Sequence, residues 1–245
     1  GGSVGLLDLP APLYTWLDAA LVGVLPPLAR VLLWGALAGL GSMALYALLA
    51  PQGRIARGKR EVAEARQTLD QHDGSLADAG PIIGRMLRLS LGQVRLTTLP
   101  ALIASIPLLT LLAWMSTAYG YRYPEPGETP PVEAQPAAWV AEWVPQADPD
   151  GTPGVRVSNG EGGSTDLFDL PVPVGVLHEW RWWNAILGNP AGYLPSGSAI
   201  ERVRVELPRQ RFLPFGPAWA RGWELPFLTA LLAASLGLKI GARIQ

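Results

Sequence analysis

Residues 51–96 read PQGRIARGKREVAEARQTLDQHDGSLADAGPIIGRMLRLSLGQVRL, and they sit between two runs of a different chemistry. The run before, LARVLLWGALAGLGSMALYALLA (28–50), carries one charge, Arg30, near its start. The run after, TTLPALIASIPLLTLLAWMSTAY (97–119), carries none. Each has the ~20 residues that cross ~30 Å of hydrocarbon. A third apolar run, Leu225 to Leu238, is followed by Lys239 and Arg243. These three runs predict an integral membrane protein, mainly α.

The charges set the expected orientation. Arg54, Arg57, Lys59, Arg60, Arg66, Arg85, Arg88 and Arg95 outnumber Glu61, Glu64, Asp70, Asp73 and Asp78 in the loop between the first two spans. A short loop with such an excess stays in the cytoplasm. The N-terminus and residues 120–222 are then outside, and the C-terminus is inside with Lys239 and Arg243. The acidic 120–222 segment, with Glu125, Glu128, Glu133, Glu142, Asp148 and Asp150, agrees. The compartment that fits is the bacterial inner membrane. No basic residue precedes Arg30, so the N-terminal stretch does not read as a signal peptide.

Composition supports this division. Of 245 residues, 49% are apolar and only 16% charged, below a soluble norm. There is no cysteine, which excludes disulfides, thiol catalysis and thiolate-bound metals. His72 and His178 lie far apart and make a weak ligand set. No nucleotide loop, nucleophile–base order or zinc spacing occurs. No enzyme activity, cofactor, metal or nucleic-acid partner is expected. The expected partners are membrane lipids and other membrane proteins.

The predicted organisation follows in chain order. Residues 1–27 form an outer interfacial segment, with an amphipathic helix over Pro12 to Val24 and Trp16 as its anchor; a longer, kinked first span is the alternative. Residues 28–50 are the first span. Residues 51–96 are a helical hairpin: Ile55, Val62, Ala65 and Leu69 recur at helical spacing. Gln71 to Ser75 is its turn, Ser75 a cap, and Pro81 ends or restarts the second helix. Residues 97–119 are the second span. Residues 120–222 are a small β-rich extracytoplasmic domain, with a Pro- and Glu-rich linker over Tyr123 to Pro136. Its strands are expected at Trp139–Trp143, Gly154–Ser158, Leu167–Val174 and, most clearly, Ile200–Leu207. Residues 223–245 are the third span and a basic tail, with Trp219 and Trp223 as interfacial anchors beside it. The Trp-rich run His178 to Asn184 fits core packing and anchoring better than catalysis.

Two residue sets are candidates for contact. Gly35 and Gly39 in the first span, and Gly237 and Gly241 in the third, form small-xxx-small patterns that let helix backbones approach. On the hairpin, the apolar Ile83, Met86 and Leu87 lie beside Arg85, Arg88 and Arg95. A surface of flexible Met and Leu mixed with Arg accepts apolar segments and acidic or phosphate flanks together.

The stretch Gly41 to Ala50 running into Pro51 to Asp73, then Leu89 to Leu96 and Pro100 to Pro107, resembles the YidC-like membrane-protein insertase superfamily. The similarity is to its small three-span branch, which includes the third subunit of the endoplasmic reticulum membrane protein complex and archaeal and bacterial relatives. It covers the spans and hairpin, about half of the chain. The resemblance implies an insertase-like protein that helps segments enter the bilayer through a groove, with a mobile cytoplasmic hairpin meeting clients. The chain departs from the pattern in having no basic residue at mid-span and about a hundred residues between its second and third spans. Those departures suit the alternative expectation, a non-catalytic accessory or scaffold subunit of a larger bacterial membrane complex. An envelope enzyme is a distant third.

Overall fold

Proline and charge punctuate the helices. In the computed structural model, which describes residues 4–70, 76–146, 151–159 and 165–242, helix α1 spans Ala11–Val22 with a proline in its first turn. Helix α2, Pro27–Leu49, starts on a proline, whose missing N–H costs nothing at that position. Helix α3 is Gln52–Asp70 and α4 is Leu76–Ala118. Helix α5, Glu224–Ala242, has Glu224 in its first turn and Lys239 in its last, each complementing the helix dipole. Three helical stretches are long and apolar enough to cross a membrane: Pro27–Leu49, Ile83–Ala118 and Glu224–Gly241. The turn read at Gln71–Ser75, along with His72, Asp148, Asp150 and Arg243, lies outside the described residues.

The largest departure from the sequence reading is the continuity of α4. It runs 43 residues, straight through Pro81, Pro100 and Pro107, and through the 96/97 boundary between hairpin and span. Pro81 does not end the helix. Each proline leaves the carbonyl four residues back without its helical donor. Pro81 lies little more than a turn from the helix start, so few bonds depend on it. Pro100 and Pro107 lie in the apolar half, where a helix that keeps its remaining backbone bonds is still better than any irregular path.

The chain divides into two compact units. The first comprises Gly1–Val31 and Leu109–Phe227; the second comprises Leu32–Leu108 and Leu228–Gln245. The β-rich part of the first unit holds two three-stranded antiparallel sheets. In one, β6 (Arg202–Val205) lies between β1 (Val132–Gln135) and β5 (Val176–His178). In the other, β3 (Gly154–Asn159) lies between β2 (Trp139–Val144) and β4 (Thr165–Asp169). Alternation aims Val155 and Val157 of β3, and Val203 and Val205 of β6, into a shared core with Leu170, Leu177 and Ile200.

Two strand readings are corrected. Residues 123–136 are not only a linker, because Val132–Gln135 pairs with β6 in the register Val132↔Val205 and Ala134↔Val203. The preceding turn is also tied down. The Tyr123 hydroxyl donates to the Leu170 carbonyl at 2.8 Å. The Glu128 carboxylate accepts the Glu125 N–H and pairs with Arg122, and these partners hold its pKa below the usual glutamate value. The expected strand Leu167–Val174 stops at Asp169, since Pro171 and Pro173 have no N–H to give a ladder; a separate strand, β5, follows.

Candidate functional site

Helix α4 is about 64 Å long at 1.5 Å per residue. Its charge-free part, Leu96 to Ala118, accounts for roughly 35 Å of that and is enough for a bilayer core. The remainder, with Arg85, Arg88 and Arg95, is surplus to any crossing and stands beside α3. The two helices share a seam. Ile55 of α3 is fully buried, and its carbonyl accepts a hydrogen bond from Gln93 Nε2 of α4 at 3.3 Å. Gly58, one turn along α3, faces the Gln93 amide, so that a side chain there would displace the end of Gln93. The other oxygen of that amide, Oε1, is buried without a hydrogen-bond donor.

This seam sorts the six hairpin residues named from the sequence. Ile83 and Met86 share the helical spacing 83, 86, 90, 93 with Gln93, and both are half-buried. Leu87 lies on the open side with the exposed Arg85, Arg88 and Arg95. Two further apolar side chains join it there, Leu91 (70% exposed) and Val94. Leu87, Leu91 and Val94 fall at i, i+4 and i+7, one stripe of a helix. Two of the six therefore share the Gln93 side of the helix, and four lie on its open side. The distinction depends on where α3 packs, which local spacing does not specify.

The glycines also separate. Gly35 and Gly39 are both buried, and a Cβ on Gly39 would collide with the Leu231 carbonyl of α5. Gly237 and Gly241 are exposed and meet nothing within 4 Å. Of the three tryptophans read as anchors, Trp16 and Trp219 are exposed. Trp223 is buried and stacks edge-on against Phe227, 5.7 Å between centroids, so its ring is not on the surface.

A second cluster, in the first unit, went unnoticed in the sequence. Asp18 is the one charged residue of α1 and Arg30 the one charged residue of α2. They pair at 2.5 Å, with both side chains nearly buried. The other Asp18 oxygen accepts the Tyr119 hydroxyl at 2.5 Å, and the Arg30 guanidinium lies over the Tyr119 ring. One turn back along α1, Tyr14 bonds Thr110 at 2.8 Å, and Trp114 Nε1 donates to Thr15 at 2.9 Å. The polar stripe Tyr14, Thr15 and Asp18 thus clasps α1 to the end of α4. The available signal was the pair of lone, opposite charges in two apolar helices, because a buried charge persists only with a partner.

Among the described residues, no group of three or more histidine, aspartate or glutamate side chains is arranged to hold a metal ion. No protein-family model, curated protein or solved structure matches the chain.

Proposed function

We propose that this chain is an insertase-like integral membrane protein of the bacterial inner membrane that receives segments of other membrane proteins on its α3–α4 hairpin and assists their insertion or assembly. In this reading the hairpin and C-terminus are cytoplasmic, and the N-terminus and β-rich domain are outside. The observation that carries it is the open face of α4. Leu87, Leu91 and Val94 are apolar, exposed and flanked by exposed Arg85, Arg88 and Arg95, on a length of helix that a bilayer crossing does not need. Apolar side chains left in water call for a cover. A stripe of mixed leucine and arginine suits a nascent segment with apolar residues and acidic or phosphate flanks.

A specific observation favours a second reading, the accessory or scaffold subunit. The hydroxyls of Thr97, Ser105 and Ser116 bond to carbonyls of their own helix. They therefore supply no free polar lining of the kind a hydrophilic client would follow through lipid. A photo-crosslinker at Leu91 in intact cells separates the two. Capture of many newly made membrane proteins supports the insertase reading. A single stoichiometric partner, or lipid alone, refutes it, and the single partner supports the scaffold.

A further inference from the structure

We infer that the Trp180–Leu187 segment and the N-terminal Val4–Leu9 segment form one lipid-binding face that seats the β-rich domain on the outer leaflet. The inference rests on the reading of the chain as a membrane protein. It does not depend on what the hairpin binds.

Both segments spend their polar groups inward. After β5 the chain makes a 3₁₀ turn over Trp182–Ala185, fixed by the buried Asn184. Its Oδ1 accepts the Arg181 N–H at 2.8 Å, and its Nδ2 donates to the Leu187 carbonyl at 3.2 Å. The side chains around it turn out: Trp180, Trp183, Ile186, Leu187 and, at 72% exposure, Trp182. The N-terminal segment is bound to the same loop. Leu7 N–H donates to the Ile186 carbonyl at 2.9 Å, and the Asp8 carboxylate accepts the Gly188 N–H at 2.6 Å and the Gly5 N–H at 3.1 Å. Exposed Val4, Leu6 and Leu9 come with it. The result is one apolar surface built from two distant pieces of chain, far richer in large side chains than scattered surface residues.

Three features select a lipid leaflet as the occupant. The first is the tryptophan content, since indole rings with one apolar body and one N–H partition to the headgroup boundary. The second is charge. Arg181 lies 5.2 Å over the Trp183 ring, is exposed, and has no carboxylate within ion-pair distance among the described residues. A guanidinium held on an aromatic face suits a lipid phosphate. The third is continuity with the helices. A groove of about 810 Å³ is walled by Trp16 of α1, Ala113, Trp114 and Thr117 of α4, and Asn189 and Pro190 of the loop. Its polar atoms are largely engaged: Thr15 by Trp114, Asp8 by the backbone, and Asn189 by Val176 and Ala191. What remains is an apolar slot at the end of the charge-free run of α4, sized for part of an acyl chain.

The absence of cysteine makes the test direct. Single cysteines replace Trp182, Ile186 or Leu6 in the full chain, with Leu102 and Glu142 as reference sites, and each carries a nitroxide label. The protein is reconstituted into vesicles of phosphatidylcholine and phosphatidylglycerol, and collision rates with oxygen and with a water-soluble nickel chelate are measured. The expected oxygen-to-nickel ratio at positions 182, 186 and 6 is several-fold above that at Glu142 and approaches that at Leu102. Ratios equal to that at Glu142, with Leu102 lipid-like, overturn the inference and leave the membrane reading standing. Labels shielded from both reagents mean a protein covers the face, which also overturns it. A water-like Leu102 overturns the membrane reading itself.

Discussion

Replacing Asp18 by alanine removes the anionic half of the clasp while leaving the cation in place. Arg30 and Asp18 are 12% and 13% exposed at their side chains, so water screens them poorly. The Arg30 Nε is already buried without a partner, so Asp18 supplies most of what compensates this guanidinium. Breaking a buried pair from one side costs about 3–5 kcal/mol, because a charge is left without its counter-ion. The hydrogen bond from Tyr119 is lost too, worth about 1.5–3 kcal/mol alone, though the two losses share one carboxylate and do not add in full. Heat unfolding in mild detergent reads the effect. At about 2–4 °C per kcal/mol for a chain of this size, the midpoint falls by roughly 6–20 °C. The double variant Asp18→Ala, Arg30→Met removes both charges and recovers most of that loss, since a buried pair is often replaceable by apolar side chains. A single variant within about 1 kcal/mol of the parent would refute the reasoning, because that is the worth of a screened surface pair. A double variant as damaged as the sum of the two singles would refute it equally.

Gly39→Leu drives a side chain into the Leu231 carbonyl and should lower the thermal midpoint in detergent, whereas Gly237→Leu, which meets open space, should leave it within a degree or two; equal effects would dissolve the contrast. For topology, single cysteines at the exposed Arg57 and Glu142 meet an impermeant thiol reagent on intact spheroplasts. Labelling at position 142 and protection at 57 until lysis is the expected result, and the reverse pattern inverts the proposed orientation.

Much of the fold could be read from short-range pattern. The three apolar runs became α2, the C-terminal part of α4, and α5. The spacing of Ile55 and Val62 marked α3, and the alternation in Ile200 to Leu207 marked the neighbourhood of β6. The misses share a non-local cause. Val132–Gln135 is a strand because β6 offers it a register, and nothing in PPVEAQP announces that. Pro81 is a helix breaker on local rules, yet it sits within an unbroken helix. The hairpin residues were the right neighbourhood, but Met86 is half-buried on the Gln93 side of the helix and Leu91 is exposed, and which side is which depends on the Gln93–Ile55 contact across 38 residues. Arg30 was legible only as a lone charge near the start of the first apolar run, whereas its pairing with Asp18 depends on α1 folding back beside the end of α4.

The three prolines of α4 also give that helix places to give way. A helix bends most cheaply where a backbone bond is already missing, and Pro100 stands where the charge-free stretch has just begun. From Pro100 back to Leu76 is an arm of about 36 Å. A change of only ten degrees at that point swings the far end through about 6 Å, slightly more than one helical pitch. The same rod that carries Leu87, Leu91 and Val94 is therefore a lever with its fulcrum next to those residues. A modest adjustment among the apolar helices becomes a large stroke at the tip.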